Sequence, residues 1–309
     1  MFSIFTNVLT QVLVLFVLIL LGVIIQKAKI FKGGETKGIT DFVLTFVTPC
    51  VIIKSFADKD FTPDALRKFL SSFLWAFIAH IIFIIFAHLF IRTKKIFDRK
   101  ILQFGTVFSN CGFMSIPLQQ AIIGDTGVFY AASFIAVMNL FLWSYGAFTV
   151  SGDKKYLLSP KAVLNPGVIG LLIGLILFFT ALPLPQVVYQ PISYVAALNT
   201  PLPMILIGFH LANSNIFSTL KNFNCIFATL LRLIIFPALI ILIIYLFGLR
   251  GDLFISLAIS ASAPVAAATT MFAEKFGGNT PLSANLVSIS TLLSLITMPI
   301  IITIASYFA

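Results

Sequence analysis

Apolar residues in this chain neither alternate nor follow a one-sided helical stripe. They come in long, almost unbroken runs divided by short polar stretches. A helix that crosses a bilayer needs about 20 mainly apolar residues, so runs of this length predict membrane-spanning helices. Ten can be drawn, at 6–26, 39–56, 69–91, 101–121, 128–150, 162–182, 192–212, 223–247, 252–273 and 282–307. They are too long for membrane strands and lack the alternation of a barrel. The expected class is an all-α polytopic membrane protein. No basic segment precedes the first run and no small-residue cleavage pattern follows it, which predicts a retained helix.

Composition narrows the function classes. Of 309 residues, 60% are hydrophobic and only 10% charged, and the mean hydropathy is +1.09. A soluble domain carries about 25% charged residues. A soluble enzyme, a disordered chain and a nucleic-acid-binding domain are all poor fits, so no nucleic-acid partner is expected. Cys50, Cys111 and Cys225 lie in apolar runs without a CxxC pair, so no disulfide framework is implied.

The net charge of +10 becomes informative once placed. With the N-terminus outside, the inside loops hold Lys27, Lys29, Lys32, Lys37, Arg92, Lys94, Lys95, Arg99, Lys100, Lys154, Lys155, Lys161, Lys221 and Lys275. The outside loops hold only Lys54, Lys59, Arg67, Lys68 and Arg250. The positive-inside rule then puts both termini outside. The expected location is a bacterial cytoplasmic membrane, with the lipid bilayer as a partner.

The halves match at an offset of 152–153 residues: Thr48-Pro49 with Thr200-Pro201, Lys68 with Lys221, and Gly124-Asp125-Thr126 with Gly277-Gly278-Asn279. With five spans per half, the second half enters the membrane from the opposite side. Such an inverted repeat marks secondary transporters; duplication kept only for packing is the plainer alternative. The expected domains are a first five-helix repeat at 1–150, a short cytoplasmic linker at 151–161 and an inverted second repeat at 162–309.

Two runs are interrupted at their centres. Span 4 contains Ser109-Asn110-Cys111-Gly112-Phe113-Met114-Ser115-Ile116-Pro117, and span 9 contains Ser260-Ala261-Ser262-Ala263-Pro264 followed by Val265 to Thr270. Proline removes a backbone donor and disrupts the preceding turn. Matched interruptions in two halves point to a transporter's binding site. Free N–H groups at two half-helix starts would favour an anion. The expected substrate-binding residues are Asn110, Cys111, Gly112, Ser115, Pro117, Ser262, Pro264 and Thr269. A pair of simple proline kinks is the plainer reading. No Asp or Glu lies at either interruption, which disfavours a cation antiporter.

Arg232 lies about 15 Å into span 8 at 1.5 Å per residue, with His80 its repeat counterpart. Arg232 either attracts the anion or bonds backbone carbonyls. His80, His88 and His210 read more readily as packed histidines than as proton carriers. Asp41 and Glu274 sit near cytoplasmic span ends, and Asp41 is a candidate proton acceptor. Asn165-Pro166 reads as a helix start. The chain has no GxxxxGKS/T, HExxH, GxSxG or TVGYG run, so ATP-driven pumping, the commonest hydrolase signals and a potassium filter are not indicated. Neither an enzyme nor a bound cofactor is expected.

The whole chain resembles the auxin efflux carrier family in its short bacterial form. The resemblance rests on Ser109 to Leu118 in span 4, on Asn165-Pro166 with Gly170 and Gly174 in span 6, and on Ala263-Pro264 followed by Met271-Phe272-Ala273. The run Ser290 to Ser294 with Pro299 completes it. The resemblance implies ten transmembrane helices as two inverted five-helix repeats, with broken helices 4 and 9 crossed, as in bile-acid-symporter and NhaA-like transporters. Spans 1, 2, 6 and 7 would form a scaffold that dimerises, with Thr48 and Thr200 on its face. Spans 3–5 and 8–10 would form a transport domain that slides as an elevator. Asn110 fits the place where plant members hold a substrate carboxylate; span 9 lacks a matching asparagine. The long loop of many plant members is absent. The implied function is efflux of a small organic anion such as malate, malonate or an auxin-like acid, coupled to H+ or Na+. A sodium-coupled organic-anion symporter and a non-transporting membrane receptor are the competing readings.

Overall fold

A computed structural model describes residues 2–30, 35–157, 165–213 and 221–309. Lys32 and Lys161, most of the expected linker's second half and the first residues of span 6 lie outside them. The described residues are helical apart from turns and one isolated bridge. We number the helices in chain order. They are α1 (Phe2–Lys27), α2 (Thr36–Ala57), α3 (Pro63–Phe90), α4 (Ile96–Val107), α5 (Ile116–Ile122) and α6 (Asp125–Ser151). Then come α7 (Pro166–Thr180), α8 (Gln186–Ala197), α9 (Pro201–Ala212) and α10 (Phe223–Leu246). The last are α11 (Gly251–Ser262), α12 (Ala268–Phe276) and α13 (Thr280–Ser306).

Seven helical stretches are long and apolar enough to cross a membrane; α8 and α9 together make one of them. The other three expected spans are shorter as helices, for physical reasons. Span 4 is divided into α4 and α5, and span 9 into α11 and α12, by their central interruptions. Span 6 begins at Pro166, where Asn165 caps the helix by accepting from the Val168 amide at 3.1 Å. It stops at Ala181, which turns left-handed with φ of 50°.

The membrane helices are sided. On α1 the exposed residues include Leu13, Val17, Leu20 and Ile24, and on α3 Leu70, Leu74, Ile81 and Ile85. Spacing of three and four residues puts each set on one face. Those faces meet lipid, while His80, Asn110, Gln119 and Arg232 are buried. With lipid tails as apolar as leucine, packing and polar contacts hold the helices together.

Three segments widen from α to π geometry just before a proline. Val43–Val47 precedes Pro49, Cys111–Ser115 precedes Pro117, and Leu231–Ile235 precedes Pro237. A proline lacks the N–H for the carbonyl four residues back and its ring crowds that carbonyl, so the turn opens. At the first, Thr48 donates twice to the Val43 carbonyl, through its backbone N–H and through Oγ1 at 3.1 Å.

Two helix pairs pack at glycine. A Cβ on Gly22 of α1 would collide with the Ile205 carbonyl of α9, and one on Gly208 with the Ile19 carbonyl. On α7, a Cβ on Gly170 would fall 2.8 Å from Pro49 Cα, and one on Gly174 2.8 Å from Phe56 Cδ2 of α2.

Candidate functional site

The interruption after α11 follows from Pro264. Without a proline N–H, the Ser260 carbonyl four residues back has no helical partner. Ser109 Oγ donates to it at 3.3 Å. Residue 109 belongs to the other interruption, so the two breaks meet. They pair as a short antiparallel bridge between Ser109 and Val265. The Asn110 amide donates to the Pro264 carbonyl at 2.7 Å, and the Ala266 amide to the Phe108 carbonyl at 3.0 Å. Ser290 Oγ of α13 accepts from the Val265 amide at 3.2 Å. Backbone groups that cannot find water in a bilayer thus find each other.

The ends of α4 and α11 leave carbonyls without helical donors. Arg232 collects them. Its Nε donates to Ala263 O at 3.1 Å, its Nη2 to Ala261 O, and its Nη1 to Val107 O at 3.3 Å and Thr106 O at 3.5 Å. The guanidinium lies 5.1 Å from the Phe83 ring centroid and is fully buried. One cation therefore sits against the negative dipole ends of both half-helices, where a cation is favoured. Of the two sequence readings of Arg232, these contacts are those of a carbonyl-bonded arginine.

The remaining predicted residues are placed as follows. Asn110 is 3% exposed and starts the half-helix that leads into α5. Its side-chain Nδ2 has no hydrogen-bond partner among the described residues. Cys111 is buried with Sγ 3.3 Å from Met138 Sδ. Gly112 has open space where a Cβ would lie, and its carbonyl accepts from Asn199 Nδ2 at 3.0 Å. Ser115 Oγ donates to Cys111 O, and Ser262 Oγ to Ile259 O. Thr269 Oγ1, buried in the first turn of α12, has no partner among the described residues. Pro117 and Thr200 line a common cavity.

Three predicted residues stand apart from the bridge. His80 is buried, with Nδ1 2.8 Å from Ala76 O and its ring stacked on Phe141. Thr48 is held by its own helix, as described above. Asp41 is exposed on α2.

That cavity, about 560 Å³, lies between α2 and α8 on one side and α5 on the other. Ser55, Ser193, Asn199, Gln120 and Asp125 line it, and Lys54 and Asp58 stand in it as an ion pair. Tyr189 Oη donates to Asp58 at 2.8 Å. Sequence reasoning missed this group, because its members come from four distant segments. It also missed Gln119, whose Nε2 donates to Ser256 O at 2.9 Å and Ser260 Oγ at 3.1 Å, tying α5 to α11. Two adjacent glutamines, Gln119 and Gln120, in an apolar run were the available signal.

Known proteins agree on what kind of molecule this is. A family model described as membrane transport protein matches residues 7–161 and 158–302. An uncharacterized transporter of Methanothermobacter thermautotrophicus is 26% identical over 306 residues, covering 96% of this chain and 98% of its own. An uncharacterized transporter of Methanocaldococcus jannaschii is 24% identical over 297 residues, covering 92% and 94%. The family is one of transport proteins, not of enzymes. Its match along almost the whole chain, together with the apolar helices, makes this a multi-pass membrane protein that belongs to the membrane-transport family of the auxin efflux carriers.

Proposed function

We propose that the protein is a secondary carrier of a small organic anion, binding a carboxylate at the bridge between the two interruptions. The observation that carries this reading is Asn110 Nδ2, a buried donor without an acceptor. An unmet buried donor costs about 1–3 kcal/mol, and a carboxylate oxygen would meet it. The predicted substrate-binding residues contain no carboxylate that would repel an anion. The half-helix starts add partial positive charge.

The carrier has ten spans as two inverted five-helix repeats, with spans 4 and 9 crossed at the bridge. The glycine contacts support this arrangement. A Cβ on Gly22 would lie 3.0 Å from the Gly208 Cα, and Gly174 meets Phe56. Adding the 152-residue offset to Gly22 gives Gly174, and adding it to Phe56 gives Gly208. Equivalent helix pairs thus pack at equivalent positions.

Spans 1, 2, 6 and 7 serve as a dimerising scaffold, and spans 3–5 and 8–10 as a moving transport domain, in an elevator cycle driving efflux in a bacterial cytoplasmic membrane. The 560 Å³ cavity lies between these two groups and is the entry on the outer side.

The test is uptake of labelled malate and malonate by proteoliposomes, with and without proton or sodium gradients. Wild-type protein is expected to move at least one of them. Asn110→Ala is expected to cut the rate by at least about tenfold, one lost charge-assisted hydrogen bond. Its melting temperature should stay near wild type, because the backbone, not the amide, makes the bridge. Normal transport by that variant would remove Asn110 from the site.

A further inference from the structure

A second cavity, about 530 Å³, lies where α3 ends and α4 begins, and Arg92, Lys94, Arg99, His88, Thr93 and Gln103 line it. It shares no lining residue with the cavity described above. No carboxylate lines it among the described residues. Among the described residues, the ion pairs engage Asp58, Asp64 and Asp153, and none involves Arg92, Lys94 or Arg99. The nearest acid in sequence, Asp98, is not among the lining residues and accepts from Asn279 Nδ2 at 2.7 Å on α13's cap. Three cations therefore share one hollow and make no ion pair among the described residues, and Arg99 is half-buried there.

The floor is fixed. Gln103 is 7% exposed and its Nε2 donates to Ile91 O at 3.3 Å, joining α4 to the end of α3. The cap residue of α4, Lys95, supplies no side-chain acceptor for the helix's first amides. Arginine forks and free amides together suit the oxygens of a phosphate.

The rim is apolar. Leu89, Phe90, Ile96 and Phe97 are all exposed, and α3 is one of the helices long enough to cross the membrane. The hollow therefore lies at a span end, level with the headgroups, whichever face of the membrane that is. A soluble phosphate would use the cations but not the rim; a lipid would use both.

We infer that the hollow formed by Arg92, Lys94 and Arg99 between α3 and α4 is a binding site for the phosphate headgroup of an anionic phospholipid, whose acyl chains lie along Phe90 and Phe97.

Native mass spectrometry of the purified full chain, with phosphatidylglycerol, phosphatidylcholine or inorganic phosphate added, tests this. Wild type is expected to retain one phosphatidylglycerol more than phosphatidylcholine allows. Arg92→Gln/Lys94→Gln/Arg99→Gln should lower that retention by on the order of a hundredfold. The control Lys154→Gln/Lys155→Gln removes basic charge elsewhere and should leave it unchanged. If the triple variant does not fold, Arg99→Gln alone carries the test, with about fivefold loss expected. Undiminished retention in the variants, or an equal loss in the control, would overturn the site. Thermal stabilisation by inorganic phosphate equal to that by phosphatidylglycerol would overturn the lipid as occupant.

Discussion

Arg232 shows how much one side chain can hold. It bonds the carbonyl ends of α4 and α11 at once. Removing one member of such a buried charged network costs roughly 3–5 kcal/mol. Arg232→Gln is expected to lower the melting temperature in detergent sharply. Arg232→Lys should rescue it poorly, because one ammonium cannot reproduce a planar fork. Full stability in either variant would refute the clamp. Gly112 gives the opposite expectation: a Cβ there meets nothing, so Gly112→Ala should fold normally. The sequence made the polar, proline-marked character of residues 109–117 and 260–270 plain, since glycine, serine and proline act locally. It left Arg232 between two roles, because its partners come from two other segments and only their meeting decides.

At the level of elements, three prolines follow widened turns, while a fourth such turn, Leu142–Gly146, has no proline after it. Arg232 itself lies in the π turn Leu231–Ile235, just ahead of Pro237. Proline inside a helix costs about 3 kcal/mol against alanine by propensity alone. Pro237→Ala is nevertheless expected to destabilise the protein, since closing the turn rotates Arg232 off its carbonyls. A rise in melting temperature would show that the turn does not place the arginine. Glycine packing gives a second expectation. Gly208→Ala forces a methyl onto the Ile19 carbonyl and should cost about 1–3 kcal/mol as overpacking, read as a lowered melting temperature. Apolar runs located these helices well, since run length is all a bilayer asks for. The widened turns were not legible, because a proline in sequence announces a disturbance without saying how the backbone absorbs it. Spans 4, 6 and 9 looked as long as the rest because hydropathy ignores hydrogen bonding.

For the molecule as a whole, the distribution of basic residues predicts an orientation, with both termini outside, and the cavity gives it a test. A cysteine at Gln120, with Cys50, Cys111 and Cys225 replaced, should react with a membrane-impermeant maleimide added from outside intact cells. Reaction only from the inside would invert the topology. The Asn199–Gly112 hydrogen bond is a direct contact between the proposed scaffold and carrier, worth about 1 kcal/mol, and so a small obstacle to sliding. The clamp has an electrical consequence as well. Arginine stays charged, and the contacts of Arg232 are carbonyls without a carboxylate. If the part that carries it crosses the membrane field, one fixed positive charge crosses too, at about 2.3 kcal/mol per 100 mV. The return of the empty carrier would then generate a current, while the step loaded with a monoanion would be silent. A dianion would reverse the sign of the loaded step, so capacitive currents on a supported membrane would report the valence of the cargo.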